Sequence, residues 1–125
     1  MIERFGQGSR YHDAVKCGKL LFLSGLTATE AGDSIRLQTQ ETLKKVDETL
    51  EKYGSDRDHI LRAEVYVREQ ADVAEFNEVW DAWVHRDTAP TRYLVVSQLG
   101  RPAIRVEIVI TASVLCFNRE KAAKN

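Results

Sequence analysis

The sequence predicts one α+β domain in which two helices cover one face of a β-sheet. In two segments the apolar residues recur every three or four positions, as in helices, and the segments around them have the apolar runs and alternation of strands. Each helix has a single apolar stripe, so a sheet must supply the surface that the two stripes cover. Residues 1–125 are interpreted as one domain, large enough to form a core without disulfides or metal.

Two predicted strands follow a flexible lead-in at the N-terminus. Residues 1–10 contain charges, glycine and serine and predict only that lead-in, whereas alternation starts in residues 11–15. Residues 20–26 are almost continuously apolar, which predicts a strand covered on both faces. Ser24 and Gly25 end this strand, where a hydroxyl and a close backbone approach suit either a ligand site or a simple turn.

The first helix is predicted between residues 38 and 53. Its expected N-cap is Asp33 or Ser34, and Gly54 is the expected C-terminal cap. The apolar stripe of this helix consists of Leu43, Val46, Leu50 and Tyr53. The remaining positions are charged or polar, so the opposite face is interpreted as a solvated surface.

A third strand and a second helix come next. Residues 59–68 alternate and predict a strand, one face of which carries Leu61, Ala63, Val65 and Val67. Residues 71–84 return to helical spacing, with a predicted buried stripe of Val73, Phe76, Trp80 and Trp83. The two tryptophans are interpreted as core residues of a short helix.

Two strands close the domain. Residues 89–96 and 105–114 are β-type runs on either side of a turn at residues 100–102, and this spacing alone predicts a hairpin. One face of the second run is wholly apolar and consists of Val106, Ile108, Ile110, Ala112 and Val114. Residues 118–125 are polar and predict a frayed tail.

Each of these two strands carries a charge that can serve a site. Glu107 points away from the apolar face of its strand, and its β-branched neighbours predict a half-buried carboxylate. Arg92, at the head of the other strand, is a candidate partner, and its planar guanidinium can bind a ligand carboxylate through two parallel hydrogen bonds. A structural ion pair or two solvated charges would explain the same pattern.

The sheet face away from the helices predicts self-association. Arg92, Leu94 and Val96 share one face of their strand, and Val109 and Thr111 lie on the Glu107 side of theirs. We expect these residues to make the uncovered face too apolar for water. A homo-oligomer would bury that face.

Charge and cysteine usage exclude several classes of protein. The 18 basic and 19 acidic residues give a net charge of −1, which predicts no nucleic-acid partner and no binding to an anionic membrane. No apolar run has membrane-spanning length, and no apolar segment near the N-terminus predicts a signal peptide. Cys17 and Cys116 are interpreted as buried reduced thiols of a cytoplasmic protein. The three histidines lack metal-ligand spacing, so no metal site is expected.

Seven motifs, taken in order, carry a resemblance over residues 11–114. They are Tyr11, Leu23-Ser24-Gly25, the helix at 40–50, Gly54 with the strand at 60–67, residues 76–80, Ala89-Pro90-Thr91-Arg92, and residues 105–108. In this order and spacing the chain resembles the reactive-intermediate deaminase superfamily, the RidA or YjgF-like proteins. The run Trp80-Asp81-Ala82-Trp83-Val84 is similar to a less characterised branch of it.

The resemblance implies a fold and a site. The fold is the chorismate-mutase-like one, in which the last strand lies antiparallel in the middle of the sheet instead of forming a hairpin, and homotrimers carry sites in clefts between subunits. The resemblance implies that Arg92 grips the substrate carboxylate, that Glu107 handles the attacking water, and that Tyr11 closes the pocket with Ser24 nearby. Typical members have Cys where this chain has Leu94, so a reshaped pocket wall is expected.

The implied activity is hydrolysis of 2-imino acids and their enamine tautomers, such as 2-aminoacrylate, to 2-keto acids and ammonia. A protonated imine carbon is already electrophilic, so orientation and general acid–base catalysis suffice and no metal or organic cofactor is implied. Other functions stay open: a non-catalytic trimer that binds a small carboxylate through Arg92, or hydrolysis of a related amide or carbamate. A ribonuclease or translation inhibitor is disfavoured by the balanced charge and the lack of a catalytic histidine pair.

Overall fold

The computed structural model describes residues 1–115 as two helices against one six-stranded sheet. The strands are β1 (Ile2–Gln7), β2 (His12–Cys17), β3 (Leu20–Leu23), β4 (Ile60–Val67), β5 (Thr91–Val96) and β6 (Val106–Ser113). The helices are α1 (Ile35–Lys52) and α2 (Val73–Trp83). The predicted tail at 118–125 and Cys116 lie outside the described residues.

The last strand, β6, lies inside the sheet rather than at its edge. The strand order is β1-β2-β3-β6-β4-β5, and β6 pairs antiparallel with both β3 and β4. The hairpin that spacing alone predicts between β5 and β6 is therefore wrong, and the central antiparallel strand that the resemblance implies is confirmed. β5 instead pairs parallel with β4, and α2 makes the crossover between these two strands.

The predicted α+β layering is confirmed, because both helices pack on one face of the sheet. The residues of β6 alternate strictly between buried and half-buried. Their buried side, together with Ala63, Val65 and Val67 of β4, contacts the helices. The helix side of this core consists of Ile35, Leu43, Val46, Leu50, Phe76, Val79 and Trp80.

Both ends of α1 have the predicted caps. Ser34 is the N-cap, and its Oγ accepts a hydrogen bond from the Leu37 N–H at 3.1 Å. At the other end the Ser55 N–H donates to the Leu50 carbonyl at 2.8 Å, and Gly54 adopts a φ of 87°. This is the Schellman arrangement, which a glycine adopts at little steric cost. The helix starts three residues before the predicted start.

The N-terminal lead-in is a strand, which corrects the sequence prediction. β1 pairs antiparallel with β2, with Gln7 opposite His12, and the Gly8 N–H donates to the Tyr11 carbonyl at 2.9 Å in the turn between them. β1 is an edge strand in which Phe5 alone is half-buried and the other residues are exposed. An edge strand that neither face buries needs no hydrophobic alternation, so its sequence carries no strand signal.

Two further burial predictions are wrong for local reasons. A β-bulge between Ile60 and Arg62 shifts the register of β4, so Ile60 takes the core position and Leu61 is 46% exposed. Cys17 is exposed because it is the last residue of β2 before the turn to β3.

The face of the sheet that neither helix covers, called the open face below, is partly apolar as predicted. Its exposed apolar side chains are Leu20, Phe22, Tyr93 and Val95, each 40–43% exposed. The prediction that residues 20–26 are covered on both faces is therefore wrong within one chain. Arg92, Leu94 and Val96 were expected on this face but lie on the helix side, because they pair with the buried residues of β4. No helix in residues 1–115 is long and apolar enough to cross a membrane.

Candidate functional site

A cavity of about 390 Å³ opens beside Glu107 at the end of β3. It is lined by Tyr11, Ser24, Gly25, Thr27, Arg101, Ile104 and Glu107. The structure therefore brings together three of the five residues predicted for the site, Tyr11, Ser24 and Glu107. Its volume lies within the ~300–1,000 Å³ range of small-molecule sites.

The chain after β3 places the Glu107 carboxylate in this cavity. Leu26 and Ile108 exchange backbone hydrogen bonds of 2.9 and 3.1 Å, which hold the segment that follows β3 against β6. Gly25 then faces the Glu107 side chain so closely that an added Cβ would lie 2.9 Å from its Cδ atom. Glycine is therefore the residue that leaves room for the carboxylate here. Glu107 itself is half-buried, as the sequence predicts.

Ser24, directly after β3, and Tyr11, directly before β2, line the cavity together with Glu107. The Ser24 N–H and Oγ both donate to the Asp13 carbonyl, at 3.1 and 3.4 Å, so the hydroxyl lies at the strand end and lines the cavity. Tyr11 lies in the turn between β1 and β2 and is 66% exposed. Its ring therefore lies at the solvent side of the cavity.

Arg92 contacts α2 instead of this cavity. Its Nη1 donates to Oδ1 of Asn77 at 3.0 Å, and its Cζ lies 5.7 Å from the centroid of the Phe76 ring and 5.3 Å from that of Trp80. The residue as a whole is exposed, yet the rings shield its guanidinium. This burial lowers the pKa of Arg92, and the nearby Asp81 opposes the change.

Arg92 and Glu107 lie on opposite faces of the sheet. Arg92 is opposite Ala63, a core residue of β4, whereas Glu107 is opposite Tyr66 on the open face. Leu94 follows Arg92 on the helix side and is half-buried opposite Val65. Within residues 1–115 Glu107 forms an ion pair neither with Arg92 nor with any other side chain. The five predicted residues therefore do not converge on one cavity within a single chain.

A hydrogen-bonded tyrosine pair adjoins Glu107 on the open face. The Tyr93 hydroxyl donates to Oε1 of Glu64, and the Tyr66 hydroxyl lies 3.1 Å from the Tyr93 oxygen and 3.3 Å from the same carboxylate oxygen. The Glu64 carboxylate, with Tyr66 and partial burial as weaker causes, raises the pKa of Tyr93. Both hydroxyls thus give the open face polar groups among its apolar side chains.

Sequence reasoning missed three residues of the cavity wall, Thr27, Arg101 and Ile104, and left Gly25 open between a ligand site and a simple turn. Gly25 adjoins Ser24, so its place in the motif was the available signal. The sequence places Arg101 in a turn. This turn lies at the cavity because β6, which follows it, pairs between β3 and β4, and no local sequence pattern indicates that pairing. In residues 1–115 no group of three or more His, Cys, Asp or Glu side chains is placed to hold a metal ion.

Comparison with known proteins settles the family. The family model for endoribonuclease L-PSP matches residues 1–114. The chain belongs to this family, that of the RidA/YjgF proteins. The crystal structure of NMB1025, a YjgF family member from Neisseria meningitidis, has a TM-score of 0.88 and 43% identity, covering 92% of this chain and 96% of that one.

Of two further relatives, one is named only for its family and the other is named for an activity. RutC family protein YoaB of Escherichia coli strain K12 is 36% identical over 113 residues, or 90% of this chain and 98% of that protein. Reactive Intermediate Deaminase A, chloroplastic, of Arabidopsis thaliana is 26% identical over 108 residues, or 81% of this chain and 58% of that protein.

Proposed function

We propose that the protein is an enamine/imine deaminase that hydrolyses reactive 2-imino acids to 2-keto acids and ammonia. The observation that carries the proposal is the convergence of Glu107, Ser24 and Tyr11 on one cavity. A half-buried carboxylate beside a hydroxyl can activate a water molecule at such a site. Membership of the RidA/YjgF family supports the proposal, and so does the name of the Arabidopsis relative.

The proposed enzyme is a homotrimer with its sites in the clefts between subunits. Two observations support an intersubunit site: the open face exposes Phe22, Tyr93 and Val95, and Arg92 lies on the opposite face of the sheet from Glu107. In the proposed cleft one subunit contributes Glu107, and its neighbour contributes Arg92. Burial of the apolar side chains of the open face stabilises the assembly.

In the proposed reaction Arg92 holds the substrate carboxylate by two parallel hydrogen bonds. Glu107 accepts a proton from a water molecule as the water oxygen bonds to the imine carbon, which gives a tetrahedral carbinolamine. That proton then passes to the nitrogen, and the carbon–nitrogen bond breaks as Glu107 takes the hydroxyl proton, so that the carbonyl forms and the departing ammonia carries this proton away as ammonium. One water is consumed, no electrons are exchanged, and neither a metal nor an organic cofactor takes part.

Leu94 is proposed to shape the pocket wall on the Arg92 side. It follows Arg92 on the same face of β5 and is half-buried, so a change in its size alters the space next to the guanidinium. The bulk of this side chain is expected to influence which imino acid side chains fit.

One alternative is favoured by a specific observation. Arg92 is held by Asn77 and two aromatic rings, apart from Glu107 within the same chain, and this arrangement suits a trimer that binds a small carboxylate without catalysis.

The family takes its name from an endoribonuclease. With 18 basic and 19 acidic residues, however, the chain has no excess positive charge to attract RNA.

The Glu107→Gln variant separates catalysis from binding. 2-Iminobutanoate is generated in situ by an amino acid oxidase in the presence of semicarbazide, and deamination is measured as the fall in semicarbazone formation. The wild-type protein should lower the semicarbazone signal, and Glu107→Gln should act at least about 100-fold more slowly. Glu48→Gln on the exposed face of α1 makes the same chemical change away from the cavity and should match the wild type.

Equal rates for the wild type and Glu107→Gln would refute the catalytic role of Glu107. If neither protein acts but both bind 2-oxobutanoate in calorimetry, the binding function replaces the deaminase.

A further inference from the structure

Arg101 shares the cavity with Glu107 and is the cation among its lining residues. It also lines a second cavity of about 740 Å³, whose other polar lining residues are Arg68, Glu69 and Gln98. Within residues 1–115 its guanidinium forms no ion pair, with Glu107 or with any other carboxylate. The guanidinium therefore has hydrogen-bond donors available for an anion inside the cavity.

The backbone that carries Arg101 is held in place from both sides. The Nε2 of Gln38 on α1 donates to the carbonyls of Ala103 at 2.9 Å and Gly32 at 2.7 Å, and its Oε1 accepts the Arg105 N–H at 3.0 Å. Gln38 is fully buried, so these bonds satisfy an amide that burial would otherwise penalise. The network fixes the segment next to Arg101 relative to α1.

A second set of contacts holds the same segment to the sheet and to α2. Arg68 at the end of β4 donates to the Pro102 carbonyl, and the Ile104 N–H donates to the Arg101 carbonyl at 3.0 Å. The Nη2 of Arg105 donates to Asp72, before α2, at 2.7 Å. Arg101 is thus presented to the cavity by an anchored turn, which lowers the backbone entropy that the turn would lose when a ligand binds.

We propose that Arg101 binds a second carboxylate, so that the preferred substrates are 2-imino dicarboxylates, the imines of acidic amino acids. The proposal rests on the function proposed above, in which Arg92 of the neighbouring subunit holds the 2-carboxylate. A guanidinium next to Ile104 and Glu107 pairs with a side-chain carboxylate but gains nothing from an alkyl side chain. A site built to pair a charge discriminates strongly against the substrate that lacks the partner charge.

The test compares a dicarboxylate imine with a monocarboxylate imine in three proteins. 2-Iminopentanedioate, from glutamate, and 2-iminobutanoate are generated in situ, and kcat/KM is measured for the wild type, Arg101→Gln and Lys44→Gln. Lys44 lies on the exposed face of α1, so its change removes the same charge away from the cavity. The wild type should prefer the dicarboxylate, and Arg101→Gln should lower that preference by about 10- to 100-fold, largely through KM.

Binding of the stable keto acid products tests the role of Arg101 independently of deaminase activity. Calorimetry with 2-oxopentanedioate and 2-oxobutanoate should show that the wild type binds the dicarboxylate more tightly. Arg101→Gln should lose this preference, Arg101→Lys should retain part of it, and Lys44→Gln should bind like the wild type. If the wild type hydrolyses neither imine, the deaminase fails while these binding data still decide the role of Arg101. A preference that is absent from the wild type, or unchanged in Arg101→Gln, overturns the inference whether or not the protein deaminates 2-iminobutanoate.

Discussion

Replacement of Gly25 by alanine should displace the proposed catalytic carboxylate without unfolding the protein. The added Cβ would lie 2.9 Å from Cδ of Glu107, whereas carbon atoms in contact lie ~3.5–4.0 Å apart. The carboxyl group is the end of a flexible side chain, so it moves by about 1 Å and the backbone stays in place. Gly25 is not among the glycines with positive φ, so alanine fits its backbone conformation.

The expected loss follows from that displacement. A misplacement of about 1 Å in a reacting group can cost about 100-fold in rate, which corresponds to about 2.7 kcal/mol in activation free energy. The free energy of unfolding should change little, since alanine restricts the unfolded chain by ~0.4–1 kcal/mol and offsets part of the local crowding.

The assay measures kcat with 2-iminobutanoate together with the thermal midpoint of each variant. Gly100→Ala is the matched control, because no heavy atom lies within 4 Å of its added Cβ and its φ is not positive. If Gly25→Ala acts through Glu107, it should cause no further loss in the Glu107→Gln background, where an amide that cannot accept the proton has already replaced the carboxylate.

Two results would refute this reasoning. Wild-type kcat in a folded Gly25→Ala protein would mean that the position of the Glu107 carboxylate is not important. An equal loss in Gly100→Ala would mean that any glycine replacement in this region lowers activity for structural reasons.

Three other predictions concern the proposed assembly and pocket. Arg92→Lys should lower kcat/KM about 10- to 100-fold at unchanged oligomeric mass, because an ammonium cannot make two parallel hydrogen bonds to a carboxylate; wild-type kinetics would contradict that role. Leu94→Cys should change the order of kcat/KM among small, branched and aromatic imines by about 10- to 200-fold, and an identical order would place Leu94 outside the pocket. Sedimentation of the wild type should give one species near three times 14.2 kDa. Phe22→Asp should give monomers, because assembly would bury the charged aspartate, and a monomeric wild type would exclude the intersubunit site.

The features that the sequence predicted correctly depend on residues close together in the chain. Ser34 caps α1 and Gly54 ends it because both caps bond to backbone groups within five residues. The alternation of β6 fixes which of its side chains face the core, so the half-buried position of Glu107 could be predicted from the period of two. The motifs around Tyr11 and Ser24 indicated the same cavity through family resemblance.

Local sequence patterns did not decide which strands are neighbours or which face of the sheet each side chain occupies: the resemblance implied only the central position of β6, and the tertiary structure decided the rest. Spacing predicted a hairpin between β5 and β6, but β6 lies between β3 and β4, and this position brings Arg101 to Glu107. The parallel register of β5 with β4 places Arg92 on the helix side, which no pattern within β5 indicates. Such strand pairings join residues that are far apart in the chain, and their free energy depends on the whole sheet. The alternation of residues within one strand therefore predicts that the strand has two faces, but it does not predict what each face contacts.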